Sequence, residues 1–306
     1  MPVGDNDIGA VRAGLTGAAL LPPAVGQRFK EVTGCNLYEI LGMTEASGLI
    51  SIDPLSGTGG IGSVGWSLPY TQVDVLELNA DGSLGEICAP NEIGVLAIRG
   101  DHVSPGYRDP AHNTGVFQNG FLNSGDLGYK DEEGRVYIAG RSKDLIIRSG
   151  HNIDPAMIEN AMSTHPAVAL AAAVGMPDDY AGELPVCFVQ LHPDVEARAE
   201  DLMAHAQRTI DERPAWPKQI FVVESIPLTT VGKIYKPSLR CDAAKGLVTS
   251  LVHDDLGLPG ARVDVVEGGA RGMGVTVTLA ETDRSSAPAV EEALAAYLFE
   301  AKVQIL

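Results

Sequence analysis

The spacing of apolar residues changes from stretch to stretch along this chain, and each change predicts a different kind of element. Over residues 8–50 strand-like and helix-like runs alternate. AVRAGLTGAAL is small and apolar and predicts a strand ending in a glycine turn. PPAVGQRFKEVTG opens on proline and closes on Gly34, as a helix would. CNLYEILGMTEAS reads as a strand running into a loop. From about Gly65 to Gly140 the runs shorten: QVDVLEL, GEICAP, GVLAIRG and GRVYIAG are brief strands punctuated by glycine, the pattern of a compact antiparallel unit. From Leu145 helices and strands mix again. LIIR, AVALAAAVG, VCFVQL and QIFVVE predict strands, and VEARAEDLMAHAQRTIDER predicts a helix. So does DPAMIENAMSTHP, with Asp154 as N-cap and Ile158, Ala161 and Met162 at helical spacing. Pro237 predicts the first turn of a further helix. After about Gly246, ARVDVVE, GVTVTLA and KVQIL read as strands and APAVEEALAAYLFEA as a helix. The expected fold class is α/β plus α+β, in four segments: an α/β stretch (1–64), a small β-barrel-like antiparallel unit (65–142), an α+β module (143–240) and a small α/β tail (241–306).

Composition narrows the classes of function. A chain of 306 residues suits two or three modules, and 45% apolar content supplies their cores. Aromatic residues make up only 5%, so those cores are aliphatic and alanine-rich. The net charge of −18 argues against nucleic acid or an anionic membrane as the main partner. An anionic small molecule stays open, because a local cluster of cations can act against the overall field. No stretch has the apolar length of a membrane span, and no signal-peptide pattern follows Met1. The four cysteines form no CxxC pair, as in a reduced, cytoplasmic protein, and the seven histidines show no metal-ligand spacing.

Candidate chemistry concentrates in four stretches. In SIPLTTVGKIYKPSLR, glycine permits a tight turn and Lys233 puts a mobile point charge behind it, suited to phosphate or a developing oxyanion. Ile234 stands where a phosphate-binding P-loop would carry Ser or Thr. AGRSKDLIIRSGHNIDP crowds Arg141, Lys143, Asp144 and Arg148 around one short strand, which suits either an interdomain surface or a polyanion site. NSGDLGY places Asp126 on a turn between strands, as a simple turn former or as an acceptor for ribose hydroxyls. LGMTEAS sets Thr44 and Glu45 after a glycine; the pair could cap a helix, or meet a phosphate and hold Mg²⁺ on it. The string GTGGIG at residues 57–62 has dinucleotide-loop spacing but no helix after it, and reads as a surface turn.

Together and in this order, GMTE, SGDLGY, GRSKDLIIRSG and PLTTVGKI resemble the later motifs of the adenylate-forming superfamily, which includes acyl-CoA synthetases, aryl-CoA ligases, luciferases and peptide-synthetase adenylation domains. DHVSPGYRDPAHNT resembles the segment that precedes the family's Gly-Asp motif, and the resemblance runs from about Ile8 to Arg240. It implies that Lys233 is a mobile catalytic lysine, that Asp126 and Arg141 bind the AMP ribose, and that Gly42 and Met43 lie against the nucleotide. It further implies that Thr44 contacts phosphate, that Glu45 assists Mg²⁺, and that Lys143 is a hinge. Gly150 would let the backbone approach the pantetheine arm of coenzyme A, with His151 beside it. The implied reaction joins a carboxylic acid to CoA through an acyl-AMP made from ATP, with a fatty or related acyl chain as the acid.

Three departures from the family pattern matter. Leu41 stands where an aromatic residue often stacks on adenine, and Asn152 where several members have a basic residue. The third is an absence: the family's phosphate loop and most of its acyl pocket are missing, so residues 1–64 look like the remnant of a larger α/β subdomain. The expected partners are therefore the acid and CoA, with no nucleic acid and no membrane span, and the missing portion is either a separately encoded N-terminal half or the earlier part of a longer gene product. Two other readings remain: a nucleotide- or partner-binding module without turnover, and an inactive truncated remnant. The role of residues 241–306 stays open.

Overall fold

The structure, a computed structural model, describes residues 10–18, 21, 23–55, 62–79, 81–230, 232–268 and 272–306. The glycine-rich string at 57–62 lies outside them except for Gly62, as does Val231 of the lysine motif. The chain divides into two compact units, Met1–Lys143 and Asp144–Leu306.

In the first unit, β1 (Ala13–Gly17), α1 (Pro23–Thr33) and β2 (Asn36–Met43) form a parallel crossover. The strands β3 (Gly48–Ile52) and β4 (Trp66–Ser67) extend that sheet antiparallel, in the order β1-β2-β3-β4. The glycine-punctuated stretch forms a second, wholly antiparallel sheet. Its strands are β5 (Gln72–Leu78), β6 (Leu84–Ile87), β7 (Gly94–Arg99), β8 (Phe117–Gln118), β9 (Phe121–Lys130) and β10 (Val136–Arg141). They run β10-β9-β7-β5-β6, with β8 on β9. Period-two alternation turns Val73 and Val75 of β5 inward, while Val95 to Ile98 of the central β7 are all buried. One core joins the two sheets: Leu41, Ala46 and Ile50 from the first meet Leu96, Ile98 and Leu122 from the second.

The second unit opens with the hairpin β11 (Ile146–Arg148) and β12 (His151–Ile153) and the helix α2 (Pro155–Ser163). Then come β13 (Val168–Asp178), β14 (Gly182–Leu191), α3 (Ala199–Thr209) and β15 (Gln219–Val223). The sheet runs β12-β11-β14-β13, and β15 pairs parallel with β14. The uninterrupted apolar run of β13 follows from burial on both faces. Ala171 and Ala173 pack beneath α2 and α3 beside Ile158, Met162 and Leu202. Ala172 and Val174 face the other way, toward Leu239 and Ala243 of α4 (Lys236–Ser250). The segment 195–213 is helical only over Ala199–Thr209, because Ile210 is extended and Arg213 begins a separate short turn that contains Pro214.

Helix α4 runs through residue 240, where the sequence suggested a change of module. Its first half packs on β13, but Val248 packs with Val263, Val275 and Val277 of the tail sheet. That sheet comprises β16 (Arg262–Glu267), β17 (Met273–Leu279) and β18 (Glu300–Ile305), with α5 (Ala287–Leu294) crossing between the parallel strands β17 and β18. Among the described residues, no helix is long and apolar enough to cross a membrane.

Asp154 caps α2 as its position suggests, accepting from the Ala156 N–H at 2.9 Å. Burial pushes its carboxyl up to about 6, opposed by the Ala156 N–H and aided by the nearby Glu159 carboxylate. Over that window the folded chain keeps a proton that the unfolded chain has released. The contribution of Asp154 to stability therefore falls as pH rises from about 4 to about 6. Asp154→Asn keeps the cap and removes the titration. Its urea midpoint, relative to the parent chain, is expected to be higher at pH 7 than near the bottom of that window. An equal pH response in the two proteins would contradict this.

Candidate active site

Gly42 and Met43 end β2, and Thr44–Ala46 form a single tight helical turn closed by the Ser47 N–H on the Thr44 carbonyl at 3.0 Å. Gly42 is required by packing, since a side-chain carbon there would lie 2.6 Å from the Gly48 carbonyl oxygen. Helix capping does not account for the Thr-Glu pair. The turn is three residues long, its cap position is Met43, and no side chain bonds to its free N–H groups. Among the described residues Thr44 makes no side-chain hydrogen bond. Glu45 accepts from the Tyr107 hydroxyl, a bond that pushes the phenol above its ordinary pKa. Leu41 is only 5% exposed and belongs to the shared core, which leaves little of it for a base to stack on.

Asp126 lies inside β9, not on a turn between strands as its Gly-rich setting suggested. Val95 pairs with Leu127 and Ala97 with Asn123, so Leu96 faces three residues, Ser124, Gly125 and Asp126. The bulge is stitched by the buried Ser124 hydroxyl, which donates to the Leu96 carbonyl at 2.7 Å and accepts from the Asp126 N–H at 3.0 Å. Gly125 takes φ of +72°, which a side chain would strain. A second bulge at Ala139 in β10 brings Arg141 opposite Asp126. Arg141 Nε then meets Asp126 Oδ1 at 2.9 Å, with the carboxylate side chain 17% exposed and the arginine 47%. A carboxylate so oriented can accept from paired hydroxyls.

Lys143 closes the first unit, in the short turn Ser142–Asp144. In the second unit Ser149 and Gly150, both at positive φ, make the two-residue turn of the β11–β12 hairpin. His151 follows and is exposed. Arg148 donates to the Pro214 carbonyl at 2.7 Å, so structure engages a guanidinium that sequence grouped with the ligand-binding cations.

Lys233 sits on a closed loop. The Thr229 N–H donates to the Lys233 carbonyl at 2.7 Å, and the Lys233 N–H to Thr229 Oγ1 at 3.0 Å. The Tyr235 N–H reaches the Pro227 carbonyl at 2.8 Å. The backbone is thus fixed while the side chain is exposed, and among the described residues its ammonium has no ion-pair partner. Behind the loop, Lys236 Nζ binds Glu159 at 2.8 Å and Arg240 Nη2 lies 3.6 Å from Asp144. These pairs anchor the start of α4 to α2 and to the residue just past the boundary between the units.

Within the first unit, then, structure pairs Asp126 with Arg141 and groups Gly42, Met43, Thr44 and Glu45 on one strand end. Lys233, Gly150 and His151 belong to the other unit. Sequence reasoning missed the Tyr107–Glu45 bond and the anchoring of α4; neither has a local signal, since each joins residues far apart in the chain. Among the described residues, no group of three or more His, Cys, Asp or Glu side chains could hold a metal ion. A single half-buried carboxylate such as Glu45 suits an ion that keeps its waters and binds phosphate oxygens, as Mg²⁺ does.

Residues 3–108 match the family model described as AMP-binding enzyme, and residues 157–233 the one described as AMP-binding enzyme C-terminal domain. A marinolic acid–CoA ligase of Pseudoalteromonas sp. (strain SANK 73390) is 36% identical over 282 residues, 92% of this chain and 43% of that protein. A long-chain-fatty-acid–CoA ligase of Bacillus subtilis (strain 168) is 36% identical over 76% of this chain and 41% of its own length. Among solved structures, ATP-bound MatB from Rhodopseudomonas palustris superposes with a TM-score of 0.70 at 29% identity, covering 75% of this chain and 45% of that one. The chain spans less than half the length of these relatives.

Proposed function

Because the chain belongs to the adenylate-forming AMP-binding enzyme family, we propose that it is the part of an AMP-forming acyl-CoA ligase that grips the nucleotide ribose and delivers a bridging cation. In the first step a carboxylate oxygen of the acid attacks the α-phosphorus of ATP, and pyrophosphate leaves. In the second the CoA thiol, losing its proton, attacks the acyl carbon of the acyl-AMP and AMP leaves. Both reactants of the first step are anions, so a cation between them lowers the barrier. Lys233 is that cation. Its exposed, unengaged ammonium on a closed loop supports the role.

Asp126, oriented by Arg141, accepts the ribose hydroxyls, and this pair is the observation that carries the reading. Gly42 and Met43 lie against the nucleotide, and Thr44 donates to a phosphate. Glu45 would hold Mg²⁺ on the phosphates, where the ion supplies charge neutralisation. Gly150 and His151 flank the pantetheine arm of CoA. The acid is a fatty or related acyl chain, a choice favoured by the long-chain and marinolic acid ligases among the relatives. An N-terminal half, separately encoded or joined to these residues in one longer product, supplies the phosphate loop and the rest of the acyl pocket.

Lys143 is the pivot that withdraws Lys233 once acyl-AMP has formed; the division of the chain directly after it supports this. Proline at 143 fixes φ there and restricts Ser142. Lys143→Pro is therefore expected to slow one half-reaction about 10²-fold more than the other. Equal rates for both, measured separately, would remove the hinge.

The experiment that tests the function is acid-dependent ATP–pyrophosphate exchange by this chain alone and after addition of an N-terminal half. Exchange only in the mixture supports a split ligase. Nucleotide binding without exchange in either case supports a binding module instead.

A further inference from the structure

Tyr107 is 62 residues from Glu45 in sequence, yet its hydroxyl donates to Glu45 Oε1. The contact is braced on both sides. The Ser104 N–H donates to the Glu45 carbonyl at 2.7 Å, and Ser47 Oγ to the His102 carbonyl at 2.7 Å, so residues 102–107 lie as a strap along the Thr-Glu turn. The Tyr107 N–H is held by Asn113 Oδ1 at 2.7 Å. Its ring meets those of His112 and Phe117 edge-on, with centroids 6.3 and 5.9 Å away. The phenol, 39% exposed, is thus oriented by its own backbone bond and by two edge-on ring contacts. Among the described residues, the second oxygen of Glu45 has no partner.

We propose that Tyr107 is a positioning residue that occupies one oxygen of Glu45 and aims the other at a divalent cation carried on the nucleotide phosphates. A loose glutamate loses side-chain freedom when it takes a cation, whereas one already held loses less. Partners of this kind are worth about tenfold or more in metal affinity. The inference rests on the reading of Glu45 given above.

Tyr107→Phe keeps the ring and its edge-on contacts and deletes only the hydroxyl. ATP binding is measured calorimetrically across a range of Mg²⁺ concentrations, with the N-terminal half present. The Mg²⁺ concentration for half-maximal binding is expected to rise about tenfold, while metal-free ATP binding and the unfolding temperature hold. In a Glu45→Gln background the same change is expected to add nothing. An unchanged Mg²⁺ requirement in Tyr107→Phe, with Glu45→Gln impaired, overturns the role of Tyr107 alone. Weakened binding at every Mg²⁺ concentration, with a lowered unfolding temperature, makes Tyr107 structural and overturns it too. A normal Mg²⁺ requirement in Glu45→Gln overturns the reading of Glu45 instead, and Tyr107 falls with it. Absence of ATP binding by the unsubstituted protein overturns the proposed function as a whole.

Discussion

Lys233→Ala is expected to lower the rate of acyl-AMP formation by about 10²- to 10³-fold, while thioester formation from supplied acyl-AMP stays near its original rate. The split follows from where charge repulsion occurs. In the first half-reaction a carboxylate approaches a polyphosphate, and without an interposed cation the two repel. In the second the acyl group is already a neutral carbonyl, and AMP is the leaving group. The substitution removes no packing, because the side chain is exposed and the loop is closed by backbone and Thr229 bonds. A lowered unfolding temperature is therefore not expected, and a folding defect can be told from a chemical one. Pyrophosphate exchange reads the first half-reaction, and thioester release from synthetic acyl-AMP reads the second. Equal loss of both would remove the assigned role.

Asp126→Ala is expected to weaken AMP binding by about ten- to a hundredfold. Hydrogen bonds to a charged acceptor contribute about 1.5–3 kcal/mol, and about 1.4 kcal/mol is a factor of ten. The half-exposed Arg141 left behind can turn to water, so the cost to folding is small. A nucleotide lacking both ribose hydroxyls gives the sharper control. It should bind the parent chain much more weakly than AMP does and bind the alanine variant no differently from AMP. If the variant still discriminates between the two nucleotides, the ribose contact lies elsewhere.

Much of this was legible in the sequence where the cause is local. Pro23 and Gly34 bracket α1, Asp154 caps α2, and the alternation of QVDVLEL gives β5. The glycines at 42 and 125 also have causes that act within a few residues or across one strand pair. The rest depends on partners distant in the chain. The bulge that returns Asp126 to the interior of β9 is set by its register with β7, which no local pattern encodes. Tyr107 lies in a stretch noticed for its resemblance alone, and only tertiary structure brings it to Glu45. Leu41 stands where the family often stacks an aromatic residue on adenine, but the core shared by the two sheets of the first unit claims it.

Helix α4 has a practical consequence for anyone who would divide the protein. A gene cut after Arg240, shortly past the end of the C-terminal family match at residue 233, would sever the helix after its first turn and discard Ala243, Ala244 and Val248, all wholly buried. The stump would have to keep its seat through Leu239 and the Lys236–Glu159 and Arg240–Asp144 pairs alone, and the lysine loop joined to it would be less firmly held. The appendage is thus a splint for the lysine-bearing segment, and a trimmed version should lose its lysine geometry before it loses its sheet.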